Sequence, residues 1–148
     1  MNNGIFRTYS FHEQDYYCKI FISWGGDYRA PEELHDHGGY IDEKADVYPM
    51  GHLIHSLLTG LWPHYHLMKI KEVENATLAG ERPYLHPGFR TRSLIERRMT
   101  EIMDQCHQHD PTKRVDIFGV VKHLRETKKM HDEARLSIQP SHKQAVAS

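Results

Sequence analysis

Apolar residues recur at helical spacing through the middle of the chain. Val47, Met50, Leu53, Ile54, Leu57 and Leu58 share one face, which predicts a first helix from about Asp46 to Leu58. Asp46 suits its N-cap, and Pro49 falls in the first turn, where a missing N–H has no partner to lose. Gly60 closes this helix and Pro63 keeps it from resuming. A second helix, about Leu67 to Leu78, carries Met68, Ile70, Val73 and Ala76 and ends at Gly80. A third, about Ser93 to His107, is expected to bury Leu94, Ile95, Met99, Ile102, Met103 and Cys106. A fourth, capped by Asp116, presents Ile117, Val120, Val121 and Leu124 on one face.

The flanks lack this pattern. Residues 1–41 are irregular and aromatic-rich, with a turn at Trp24-Gly25-Gly26-Asp27, a loop at His35-Asp36-His37-Gly38-Gly39 and a candidate strand from Cys18 to Trp24. Residues 129–148 are polar, with Pro140 and small residues at the end, and are expected to form a disordered tail. The expected organisation is therefore an irregular region over 1–41, a helical region over 42–128 and a tail over 129–148. The fold class is mainly α.

Composition narrows the function without naming it. A chain of 148 residues suits one domain, and 39% hydrophobic residues leave a thin core. The mean hydropathy of -0.69 agrees. Lys plus Arg is 19 against 20 for Asp plus Glu, so no charge excess points to nucleic acid or a membrane surface. Cys18 and Cys106 are too few for a disulfide framework, which suggests a reducing compartment such as the cytoplasm. The N-terminus has no cationic stretch followed by an apolar run, so it does not read as a signal peptide. No stretch approaches the ~20 apolar residues of a membrane span. The sequon Asn75-Ala76-Thr77 falls inside the second predicted helix, which argues against its use.

Three motifs carry more information. Tyr28-Arg29-Ala30-Pro31-Glu32-Glu33 resembles the Ala-Pro-Glu motif that closes the activation segment of protein kinases. Asp46-Val47-Tyr48-Pro49-Met50-Gly51, followed by Leu57-Leu58-Thr59-Gly60 and Pro63, is similar to the central helix of the kinase large lobe. In that helix Tyr48 stands for the usual Trp and Pro49 for the usual Ser. Cys106, Asp110-Pro111 and Arg114 resemble the family's late Cys-x-x-x-Asp-Pro-x-x-Arg motif, and Gly80 with Arg82-Pro83 fits a Gly-x-Arg-Pro loop. One such triplet is weak evidence, but three in order and correctly spaced between helices are specific. The resemblance to the protein kinase family covers about residues 26 to 126. It implies the helical large-lobe portion of that fold, with Ala30, Pro31, Glu32, Asp46, Gly51 and Arg114 as structural motif residues. In the family Glu32 pairs with Arg114, and Asp46 receives backbone N–H groups from the catalytic loop.

The missing motifs bear on the chemistry. The sequence has no kinase Gly-rich loop, no Val-Ala-x-Lys, no His-Arg-Asp loop with its downstream Asn and no Asp-Phe-Gly. Phosphoryl transfer needs an orienting Asp, metal ligands and a phosphate clamp. No catalytic, cofactor-binding or metal-binding residue is assigned, although ATP and Mg are expected for a full-length family member. Met1 to Gly4 fall where the segment after Asp-Phe-Gly begins, which implies a late-starting or truncated version of a longer kinase domain. The expected partner is a protein, as substrate or as docking partner. The alternatives to a catalytically incompetent partial kinase are a non-catalytic, kinase-like binding module and a remnant with exposed apolar surface. Gly80-Glu81-Arg82-Pro83 leans toward the tyrosine-kinase side.

Two further clusters carry candidate chemistry. The chain holds 13 histidines, with close groupings at His35 and His37, at His64 and His66, and at Cys106, His107 and His109. They lie on different loops without Cys-x-x-Cys, so solvated histidines and a buried, unreactive Cys106 are expected rather than a metal site. Thr8, Tyr9, Ser10, Tyr16, Tyr17 and Ser23 crowd the activation-segment-like region and are candidates for phosphorylation, although the Arg that usually receives the phosphate is not in this chain.

Overall fold

The structure, a computed structural model, describes residues 8–10, 15–19, 26–34 and 40–138. Three short strands, β1 (Thr8–Ser10), β2 (Asp15–Lys19) and β3 (Tyr40–Ile41), form an antiparallel sheet in sequence order. β1 pairs with β2 through Thr8 and Tyr17, Tyr9 and Tyr16, and Ser10 and Asp15. β2 pairs with β3 through Cys18 and Ile41, and Lys19 and Tyr40. The strand expected from Cys18 to Trp24 thus starts earlier. Its stretch over 20–25 lies outside the described residues.

Helices make up the remainder: α1 (Val47–Thr59), α2 (Ile70–Leu78), α3 (Leu94–Cys106) and α4 (Ile117–Ile138). Their ends follow the expected chemistry. Gly60 takes a left-handed φ of 72° and donates its N–H to the Ser56 carbonyl at 2.8 Å, which ends α1. Gly80, with φ 78°, turns the chain after α2, and the next N–H, of Glu81, reaches back to the Ala76 carbonyl at 2.9 Å. Ser93 Oγ accepts the Glu96 N–H at 3.1 Å to cap α3, and Asp116 Oδ1 accepts the Gly119 N–H at 2.7 Å to cap α4. α1 packs along α3, and Val47, Ile54, Ile102, Met103, Cys106 and Val120 form the main core. A second cluster, Ala30, Ile41, Ala45 and Tyr48, joins the 26–34 segment and β3 to the start of α1.

Three expectations are corrected. Asp46 does not cap α1. Its own backbone is already helical, at φ -75° and ψ -19°, so its carboxylate makes no capping bond. A 3-10 turn over Glu43–Asp46 runs straight into α1, and the capping role moves upstream to Asp42, which accepts the Lys44 N–H at 2.9 Å. The buried face of α1 is also different. Val47 and Ile54 are buried, but with Tyr48, Gly51, His52 and His55, while Leu53 and Leu57 are 47% and 72% exposed. The helix is enclosed on two sides, by α3 and by the cluster described below, and the two leucines share the face left over. Finally, α4 extends to Ile138, well into the stretch assigned to the tail. Pairs four residues apart, Lys128 with Asp132 and Lys129 with Glu133, support the extra turns. Residues 139–148 lie outside the described residues.

The other helices bury fewer of the expected positions. In α3, Ile102, Met103 and Cys106 are buried and Leu94 is exposed. In α4, Val120 is buried while Ile117 and Val121 are partly exposed. In α2, Val73 and Ala76 are buried and Ile70 is exposed, as is Met68 just before the helix. Thr77 of the sequon is buried too, so Asn75 sits in an ordered helix rather than on a loop.

Candidate functional site

The first candidate site is built around Arg114. Pro31 presets φ for a 3-10 turn over Pro31–Glu33, which swings Glu32 toward the helical base. Glu33 secures that turn by accepting the Ala30 N–H at 2.7 Å and an Arg29 N–H at 2.9 Å. On the other side, Asp110 accepts the Thr112 N–H at 2.9 Å and its hydroxyl at 2.7 Å, shaping the loop that presents Arg114.

The Arg114 side chain is 0% exposed, and each guanidinium N–H has an acceptor. Nη1 donates to Glu32 Oε1 at 2.5 Å and to the Lys44 carbonyl at 2.7 Å. Nη2 donates to Glu32 Oε2 at 2.9 Å and to the His109 carbonyl at 3.3 Å. Nε donates to the Gln108 carbonyl at 2.9 Å. The pair with Glu32 is bidentate, the geometry that gives an arginine–carboxylate contact its specificity. Beneath it lies the buried Tyr48 ring, 5.0 Å from the guanidinium carbon, as a cation–π partner. Burial pushes the Tyr48 phenol up to about 12, against the opposing effect of Arg114. Arg114 therefore ties the 26–34 segment, the turn before α1 and the loop after α3 to one point.

Of the motif residues, Ala30, Pro31, Glu32 and Arg114 come together here, Gly51 lies about one turn on from Tyr48 against His107, and Asp46 is exposed. In the Gly80 to Gly88 loop, Arg82 and Arg90 both reach the Asp104 carboxylate, at 3.4 and 2.5 Å, and hold the loop against α3.

The second cluster escaped sequence reasoning. His52, His55, His64 and His107 are all buried. The expectation of solvated histidines fails for His64 and His107, while His52 and His55 stand outside the groupings it covered. It holds for His66 and His109, which are exposed, while His35 and His37 lie outside the described residues. His107 Nε2 meets His52 Nδ1 at 3.1 Å, and His55 Nε2 meets the Tyr84 carbonyl at 2.9 Å. Tyr28 sets its ring edge-on to His52 at 5.6 Å, and Tyr48 does so at 5.1 Å. His64 adopts a left-handed φ of 52°, unusual for a residue with a side chain. Gly51 makes the arrangement possible, because a Cβ there would stand 2.5 Å from the His107 ring. A usable signal existed in the sequence: Tyr48, His52 and His55 stand at i, i+4 and i+7 on one helix face.

Burial forces His52, His64 and His107 toward the neutral form. His52 is pushed down to about 3, chiefly by loss of solvent and then by His64 and His55. Burial also holds His107 well below its ordinary value and lowers His64. Among the described residues no group of three or more His, Cys, Asp or Glu side chains is placed to hold a metal ion. Cys106 is buried, and burial raises its thiol to about 12, so it stays protonated and inert.

No described helix is long and apolar enough to cross a membrane. A family model described as protein tyrosine and serine/threonine kinase matches residues 2–124. The Arabidopsis thaliana serine/threonine-protein kinase STY46 is 30% identical over 110 residues, a stretch covering 70% of this chain and 17% of that kinase. The serine/threonine-protein kinase STY17, also of Arabidopsis thaliana, is 29% identical over 107 residues, covering 68% of this chain and 17% of that kinase. The chain thus spans only a small part of the length of the curated relatives it matches. With the family model covering most of the sequence, and its motif residues meeting at Arg114, the chain belongs to the protein tyrosine and serine/threonine kinase family.

Proposed function

We propose that this chain forms the substrate-facing helical portion of a kinase domain and is catalytically incompetent alone. The transfer of the ATP γ-phosphoryl to a protein hydroxyl then depends on a catalytic half that supplies the ATP and Mg sites. The observation that carries this reading is the Arg114 anchor. It fixes Ala30-Pro31-Glu32, the end of the substrate-facing ledge around Gly26 to Glu32 that the family resemblance implies, to the helical base. The exposed stripe of Leu53, Leu57, Leu61 and Trp62 supports the second half of the proposal, because it is apolar surface of the kind that another folded unit covers. The two relatives named above favour Ser and Thr over Tyr as acceptor residues. The absent Gly-rich, Lys, His-Arg-Asp and Asp-Phe-Gly motifs leave no residues to clamp phosphate or bind metal.

The test is a calorimetric titration of the chain with Mg-ATP. The expected result is no saturable heat. A micromolar site would overturn the claim of incompetence.

A second reading, a non-catalytic binding module, draws on the same exposed apolar residues together with Met68, which is 89% exposed. It would dock a protein partner through α2, α3 and the Gly80 to Gly88 loop. A monodisperse chain that melts cooperatively and gains no phosphotransfer activity in any longer form favours the module over the partial kinase.

A further inference from the structure

We propose that His52, His64 and His107, packed around His55, form an acid-operated lock in which the assembled lobe depends on these three rings staying neutral and comes apart on mild acidification. The lock stands on geometry and does not depend on the proposed function. The four rings gather where α1, the loop after it, the end of α3 and the 26–34 segment meet, and each is 2% exposed or less. Their hydrogen bonding leaves no place for added protons. Among the described residues His52 Nε2, His55 Nδ1, His64 Nε2 and His107 Nδ1 are buried with no hydrogen-bond partner, and the remaining His52–His107 contact joins two ring nitrogens, of which only one can donate. A proton on either ring of that contact sets two N–H groups against each other, or leaves a buried charge unsolvated.

Among the described residues no neighbour outweighs this. From α1 it meets Tyr48 and the other histidines, and from the 26–34 segment the Tyr28 ring. Arg82, in the loop after α2, faces His107 and repels a second positive charge. Exposed His66 acts against charge on His64, while Glu81 and Asp27 favour it without overcoming burial. Arg114 lies beyond the Tyr48 ring and is itself cationic.

The direction of the effect follows from proton linkage. His52, His64 and His107 titrate lower in the folded lobe than in the unfolded chain, where they sit near ~6.5. Below that value the unfolded chain binds more protons, so stability falls as pH falls, and for His52 the loss continues toward about 3. Each such histidine shifts the folding equilibrium up to about tenfold between pH ~7.5 and ~5.5, so three acting together give up to about a thousandfold over that span. Carboxylates held low by exposed partners, such as Asp110 and Asp132, titrate below this window and do not contribute to it.

The experiment is urea unfolding of the full chain at pH 7.5 and 5.5. The expected result is a rise in the unfolding constant of at least a hundredfold at the lower pH. The double variant His52→Leu with His107→Phe should lose most of that rise. Equal unfolding constants at the two pH values, an undiminished rise in the double variant, or no cooperative transition at pH 7.5 would each overturn the lock. If the variant fails to fold, histidine-ring NMR of the unaltered chain at pH 5.5 decides. Neutral tautomers at His52 and His107 in the folded population support it, and imidazolium signals there sink it.

Discussion

Replacing Arg114 with alanine is expected to lower the stability of the lobe by about 3–5 kcal/mol, the cost of breaking a buried ion pair by removing one partner. Arg125→Ala, on the exposed side of α4, should stay within about 0.5 kcal/mol of the parent. The difference lies in what each substitution leaves behind. Without the guanidinium, the Glu32 carboxylate, with a side chain only 13% exposed, loses both of its N–H donors. The Lys44, Gln108 and His109 carbonyls each lose a donor as well, and Tyr48 loses its cation. Glu32→Gln keeps the shape and one acceptor, so it should cost less than Arg114→Ala. Urea midpoints measured side by side decide the matter: equal midpoints for the Arg114 and Arg125 variants would remove the anchor from any account of this fold.

Gly51→Ala should destabilise by about 1–3 kcal/mol, the usual cost of forcing extra carbon into a packed interior. The sign is informative, because alanine is intrinsically the better helix former by about 1 kcal/mol. Here the new methyl would meet Cδ2 and Nε2 of His107 at 2.5 Å. That ring cannot simply swing aside, being flanked by His52 at a centroid distance of 4.7 Å and by Tyr48 at 5.2 Å. Displacing it also breaks the His52 contact. In a His107→Ala background the obstruction is gone, and the same Gly51→Ala change should become neutral or stabilising. A double-mutant cycle reads that reversal as a coupling energy, and additivity within about 0.5 kcal/mol would show that Gly51 is not there for the histidine.

Much of the architecture was legible in the sequence because helix ends are written in local chemistry. Gly60, Gly80, Ser93 and Asp116 each act within a few residues of themselves, and the helices begin and end near where those residues predict. The Glu32 and Arg114 contact was accessible only through the family resemblance, since no local rule links two residues so far apart. What the sequence concealed was the inner face of α1. Leucine outweighs histidine on any hydrophobic scale, so Leu53 and Leu57 drew the predicted face toward themselves. Burial instead follows where neighbouring elements arrive, and His107 and Tyr28 arrive at the side carrying His52. Asp46 misled for a related reason: a good capping residue caps only where the backbone ahead of it is not yet helical.

The Arg114 anchor also has a consequence in time. Glu32 and Arg114 are separated by 82 positions. Closing so long a loop costs on the order of 4 kcal/mol of chain entropy before any contact rewards it. The helical core over 47–124 has shorter-range contacts to assemble first, so the anchor belongs to the last steps of folding. Interactions absent from the transition state act on the rate of unfolding rather than of folding. The guanidinium is thus a brake: it leaves the speed of assembly almost untouched and lengthens the lifetime of the docked segment, by roughly a hundredfold or more for 3–5 kcal/mol.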